Sequence, residues 1–324
     1  KLMYNKNKET IDFCFYFPIK TDYKNIHYVR LLDYILSTTS KKYPDSSSFE
    51  EIKKQKLLIS NSIYLEINEE TSFIVYVFTI PRENILKDYN IDETFAFAIS
   101  LIIDPYVENN EFNENKFYYE KDYFVEKNRI IMDDPINKMN EEFYNIVDKK
   151  EYLGCSYLNS TKMLKDITPE SLYEFYKENI KENKCLKYVY GNINNKKLNY
   201  LFEKYYKQED EVLNINIKKY KNIPESKSID IIKNVPLEQS YIYLEYKVKE
   251  FTENDRLYLK IINNFLYGPS NDLLFKKLRI EKNIVYSFSL IRYLNSGIFV
   301  VRAGIDEKNK NKFIHSVNDT LIDL

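Results

Sequence analysis

The stretch Asn264–Asp306 reads NFLYGPSNDLLFKKLRIEKNIVYSFSLIRYLNSGIFVVRAGID. A helical pattern ends at Tyr267, and Gly268-Pro269-Ser270 stops it. Leu273, Leu274 and Leu278 start a second apolar-periodic segment, which ends near Lys282-Asn283. Val285 to Arg292 alternates like a strand, Asn295-Ser296-Gly297 is a turn, and Ile298 to Ala303 reads as the returning strand. Arg279 and Tyr286 stand near the helix end and at the strand start. A helix terminus that feeds a strand can aim both side chains into one cleft. Read as isolated residues, they favour a plainer account, in which Arg279 caps its helix end or pairs with Glu281 and Tyr286 is core.

Over the whole chain, the 324 residues are 44% hydrophobic, enough for a packed core and for two domains. Net charge is −1 with no basic stripe, which argues against a nucleic-acid partner. Apolar runs such as Phe95–Ile103 are too short to span a bilayer. Cys14, Cys155 and Cys185 are odd in number and far apart, so buried thiols in a reducing cytoplasm are expected.

Toward the N-terminus, Thr10–Pro18 alternates as a strand ended by proline, and Val29, Leu32 and Leu36 repeat at helical spacing. Ser48 is a candidate cap with Glu51 three residues on. Ile63–Ile67 and Phe73–Ile80 form a strand pair, followed by helices over 92–104 and 113–132. Asp134-Pro135 and Thr168-Pro169 each open a further helix. Leu186–Gly191 is a strand. Lys-rich residues 208–228 read as a linker, and a second strand–helix–strand set comes after it. Its helix over 255–267 carries Leu257, Ile261 and Phe265 in phase, and Phe313, Val317 and Leu321 mark the last helix. The domain expectation is therefore 1–207, a linker over 208–228, and 229–324. The fold expectation is α+β: two homologous domains, each a mostly antiparallel sheet with helices on one face, the second incomplete at Leu324.

Gly268, Ser270, Leu274-Phe275, Arg279, Glu281-Lys282, Tyr286-Ser287, Gly297 and Ala303-Gly304-Ile305-Asp306 together resemble the second-domain signature of the insulinase/pitrilysin superfamily of zinc metallopeptidases. The branch is that of mitochondrial-processing-peptidase-like proteins. Ile280 is inserted relative to the usual Arg-Glu-Lys, and the loop has one glycine rather than several. Phe112-Asn113-Glu114, Asp133-Asp134-Pro135, Tyr190-Gly191-Asn192-Ile193 and Leu36–Tyr43 (LSTTSKKY) resemble runs of the family's first domain. The resemblance implies that Arg279 and Tyr286 meet substrate beside a zinc, with Gly268 and Ser270 in the substrate-binding loop.

Catalytic members carry H-x-x-E-H, two histidines on one helix face binding Zn²⁺ and a glutamate activating water. Counting back from LSTTSKKY places that motif on Arg30-Leu31-Leu32-Asp33-Tyr34, and the third ligand falls at Glu126 or Lys127. The only histidines are His27 and His315, so the chain contains no H-x-x-E-H and is expected to hold no cofactor. The resemblance implies a non-catalytic subunit of a cytoplasmic heterodimeric metallopeptidase. It would supply Arg279 and Tyr286 to an H-x-x-E-H-containing homologous subunit that carries the zinc and cleaves a peptide. The alternatives are an inactive scaffold or a peptide-binding module of the same fold.

Overall fold

The computed structural model describes residues 1–22, 24–67, 71–147, 162–208, 230–232, 237–248, 252–267, 272–293 and 297–323. Gly268 and Ser270, Cys155 and residues 209–228 of the expected linker lie outside the described residues.

The chain divides into two compact units. One takes the described residues of 1–131 and 155–218, the other those of 132–154 and 219–324. Residues 132–147, placed in the first domain by the sequence reading, therefore belong with the second unit.

The first unit is built on a five-stranded sheet of order β1-β7-β2-β4-β3: β1 Leu2–Tyr4, β2 Thr10–Lys20, β3 Ser60–Glu66, β4 Thr71–Pro81 and β7 Leu186–Gly191, with β5 Val107–Glu108 and β6 Glu111–Phe112 as a separate antiparallel pair. Only the β1–β7 pair is parallel. Ile11, Phe13, Phe15, Phe17 and Ile19 alternate onto the buried face, as a period of two requires. Their core is shared with residues of α1 Asn25–Leu36, α3 Ile91–Ile103 and α4 Glu114–Asp133. Gly191 holds φ +155°, and a Cβ there would stand 2.6 Å from the Thr10 carbonyl oxygen, so only glycine lets β7 close on β2.

Proline does not end β2. Pro18 stays in the strand opposite Phe73, because pairing with β7 stops at Tyr16 and the missing N–H interrupts no ladder there. The cap of α2 (Ser46–Gln55) is Asp45 rather than Ser48: its side chain accepts from the Ser48 N–H at 2.9 Å.

The second unit repeats the order strand, helix, helix, hairpin, helix. Its sheet is β8-β10-β9 (β8 Ser240–Lys247, β9 Val285–Tyr293, β10 Ile298–Ile305), antiparallel throughout. This is the arrangement of β2, β4 and β3 in the first unit. Val301, Ala303 and Ile305 face a core with Leu266, Leu274, Leu278, Phe313 and Val317 from the helices. On the opposite face Ile298 and Val300 pack with Tyr243 and with Phe143 of α5 (Pro135–Val147).

One helix face departs from expectation. In Glu253–Leu266 the phased residues Leu257 and Phe265 are 59% and 55% exposed, and Ile261 is exposed too. Leu259, Asn263 and Leu266 are buried instead. Apolar residues lie all around this helix, so periodicity could not select its inner face.

Candidate functional site

Arg279 lies in a π turn. The short helix Leu273–Phe275 runs into Lys276–Glu281, where the Lys282 N–H bonds the Lys277 carbonyl five residues back. A π turn is one residue added to an α-helix. The residue inserted relative to the family pattern, Ile280, is 68% exposed, so the addition is absorbed on the solvent side. Leu274 and Leu278 stay fully buried. Arg279 is half-buried, and its Nη1 donates to the Val285 carbonyl oxygen. This fixes the guanidinium beside the start of β9.

Tyr286 is also an added residue. On β10, Ile305 pairs with Val285 and Gly304 with Ser287, so Tyr286 is the extra residue of a β-bulge. Bulges re-aim side chains. The Tyr286 ring is 56% exposed, and its hydroxyl donates to Asp306 Oδ1 at 2.8 Å. That bond pushes the phenol's pKa above its ordinary value, while the nearby positive Arg279 pulls the other way. Arg279 and Tyr286 are thus brought together.

Three neighbours received no role from the sequence. Lys282 Nζ donates to Ser316 Oγ at 2.7 Å and ties the π turn to the helix Lys310–Ile322. The Gly304 N–H donates to Ser287 Oγ at 3.1 Å across the bulge. Asp306 receives the Tyr286 hydroxyl. The Ala-Gly-Ile-Asp run contained two of them, but nothing in linear spacing links Asp306 to a tyrosine twenty residues away.

In the first unit, the positions of the zinc motif are filled by side chains with other partners. Asp33 accepts the Ile63 N–H at 2.6 Å and the Ser37 hydroxyl at 3.2 Å, joining α1 to β3. Burial pushes its carboxyl above the ordinary range, against the pull of these hydrogen bonds. Lys127 Nζ donates to the Tyr34 hydroxyl at 3.0 Å, whereas Glu126 pairs with Arg129 at 2.7 Å on an exposed surface. Geometry therefore puts Lys127, not Glu126, opposite the motif helix. Arginine, a phenol and a lysine offer no zinc donor set of the H-x-x-E-H kind, and Asp33 is occupied. Among the described residues, no group of three or more His, Cys, Asp or Glu is placed to hold a metal ion. Also among them, no helix is long and apolar enough to cross a membrane.

Residues 166–324 match the family model described as Peptidase M16 inactive domain. A Bacillus subtilis protein described as probable inactive metalloprotease YmfF is 22% identical over 282 residues, covering 86% of this chain and 66% of that protein. The chain spans 50% of the length of two further curated relatives, so it covers between one half and just under two thirds of the relatives it matches. A conserved protein from Enterococcus faecalis superposes with TM-score 0.76 at 20% identity, over 98% of this chain and 75% of that one. A protease from Helicobacter pylori does so with TM-score 0.71 at 15% identity, over 98% and 76%. These superpositions establish the fold. With the signature over 264–306 and the family match over 166–324, the C-terminal half of the chain is similar to the inactive domain of M16 peptidases.

Proposed function

We propose that this chain is the non-catalytic member of a two-subunit M16 metallopeptidase. Its second unit supplies Arg279 and Tyr286 to a partner that carries H-x-x-E-H and the zinc. The observation that carries the reading is the convergence of a half-buried arginine and an exposed tyrosine hydroxyl, each at its own one-residue insertion. A π turn and a bulge both disturb a regular ladder, and such irregularities concentrate at functional sites. The degenerate helix positions Arg30, Asp33 and Tyr34 support placing the catalytic metal on the other subunit.

In that role the partner's zinc, when bound, would supply Lewis-acid polarisation of the scissile carbonyl. The Tyr286 hydroxyl donates to the oxyanion that develops. The Arg279 fork holds a substrate carbonyl or carboxylate, and the Val285 contact sets its direction. The substrate is a peptide.

The test is the full-length protein co-expressed with its H-x-x-E-H homologue and assayed on an internally quenched nonapeptide pool. Tyr286→Phe removes one exposed hydroxyl, so assembly survives and turnover falls by roughly 10²–10³. Arg279→Lys keeps the charge, loses the fork and raises KM. Wild-type activity from both variants in intact complexes would leave an inactive scaffold as the better reading.

A further inference from the structure

A phenol has one proton to give. In this chain that proton already has a taker. The Tyr286 hydroxyl, on a ring more than half exposed to water, donates to Asp306 Oδ1 at 2.8 Å. An exposed hydroxyl has no need of a protein acceptor, so the contact must come from how the backbone is built.

Three features build it. The bulge turns Tyr286 out of the regular alternation of β9. Gly304 allows the bulge to close: a Cβ there would stand 2.7 Å from Ser287 Oγ and 2.8 Å from Gln239 Oε1. Asp306 comes directly after β10, and its own carbonyl accepts the Asn309 N–H at 2.9 Å, opening the 3₁₀ turn Glu307–Asn309. The backbone that carries the carboxylate is therefore held from both sides, exposed Lys308 Nζ stands 3.8 Å from the carboxylate's other oxygen, and the ring is aimed at the carboxylate.

Building on the reading of Tyr286 as an oxyanion donor, we propose that Asp306 is a positioning residue that acts as the resting acceptor of that hydroxyl. It holds the phenol in place and competes with substrate for its proton. A carboxylate accepts more strongly than a neutral peptide carbonyl. A ground-state carbonyl thus fails to capture the proton, and only an oxygen gaining negative charge does so. The exchange is a rotation of one O–H bond. No proton leaves the phenol oxygen.

Asp306→Asn is the test, in the complete two-subunit enzyme on the same quenched nonapeptide pool. The amide is a neutral, weaker acceptor, or turned over it is a donor to the phenol oxygen, and either way the proton is freed for substrate. KM falls about threefold to tenfold with kcat little changed, the share of the bond that came from the charge. In a Tyr286→Phe background the same substitution changes nothing, because Asp306 acts through the hydroxyl alone. An unchanged KM, or a KM change that persists without the hydroxyl, overturns the proposal. A second readout is independent of activity. With ¹³Cζ-labelled tyrosine, the Tyr286 resonance, identified by its loss in Tyr286→Phe, titrates above ordinary tyrosine in the wild type and returns toward it in Asp306→Asn. Identical titrations overturn the proposal. If Tyr286→Phe alone retains full turnover, the donor reading itself is lost and this role with it, an outcome distinct from a failure of Asp306→Asn.

Discussion

In the first unit the Leu58 N–H closes on the Lys53 carbonyl, five residues back; in the second the Ile284 N–H closes on the Leu278 carbonyl, six residues back. Both bonds end a helix at the same place in the repeated topology, just before the second strand. The residue before each is left-handed, Leu57 at φ 53° and Asn283 at φ 48°. The hairpins beyond these helix ends differ in the same sense. The β3–β4 register runs without a break from Ser60↔Thr79 to Glu66↔Phe73, whereas β9–β10 slips at Gly304/Ile305. Over these matched elements one copy is regular and the other carries two added residues; the first unit has a π turn of its own at Lys177–Lys181, outside them. The additions fall at Ile280 and Tyr286, next to Arg279 and at the tyrosine itself.

Deleting Ile280 attacks the comparison most directly. The helix regains the five-residue closure of the first unit, and Arg279 turns by about 100° relative to β9. Losing a charged hydrogen bond costs about 1.5–3 kcal/mol, so kcat/KM of the two-subunit enzyme falls by roughly ten- to hundredfold with circular dichroism unchanged. Full activity would mean that the π turn has no bearing on the site.

Asp33 tests the regular copy. Asp33→Ala leaves the buried Ile63 N–H without its acceptor and lowers the unfolding free energy by about 1–3 kcal/mol in urea titrations. Its pH dependence has a definite sign. The folded-state pKa is raised, so the folded state binds a proton more readily than the unfolded one. The contribution is largest below the ordinary aspartate value and is lost as pH rises through the folded value. The stability difference between wild type and Asp33→Asn therefore moves in favour of the wild type as pH falls toward that window, and a difference flat with pH would refute the assignment. In the second unit, the helix at the position of α1 buries Asn263, whose Oδ1 has no hydrogen-bond donor among the described residues.

The smallest effect is expected at Leu57. A leucine held left-handed costs about 1–2 kcal/mol, and asparagine tolerates that conformation better. Leu57→Asn copies the second unit and stabilises the first by about 0.5 kcal/mol or more, provided that the half-buried leucine contributes little packing. A lower melting temperature would show that its packing outweighs the strain.

Much of this was legible in the sequence because two periods carried it. The alternation of Ile11 to Phe17 and the dense apolar run of Phe73–Ile80 placed β2 and β4, of which β2 and not β4 is the central strand, and Thr168-Pro169 marked a helix start, realised as a capping box with Ser171. The pairing of Arg279 with Tyr286 was legible only through the spacing of the family signature. The rest was hidden for identifiable reasons. Asp45 outcompeted Ser48 as a cap because its carboxylate reaches the N–H three residues on. Leu257, Ile261 and Phe265 shared a helix with too many other apolar residues for phase to decide burial. The choice between Glu126 and Lys127 needed a neighbouring helix, and Asp306 needed a hairpin to bring it to Tyr286.

The π turn has a consequence for how such chains are searched for. An added residue in an α-helix would carry everything beyond it a quarter-turn or more out of phase. Here the wider turn absorbs that rotation, so Ile284 beyond it remains buried while Ile280 points to solvent. A string pattern demanding Arg-Glu-Lys without a gap would pass over this chain, although Arg279, Glu281 and Lys282 are all present. Patterns for this helix should tolerate one free position after the arginine, where the cost of an insertion is borne by water-facing backbone.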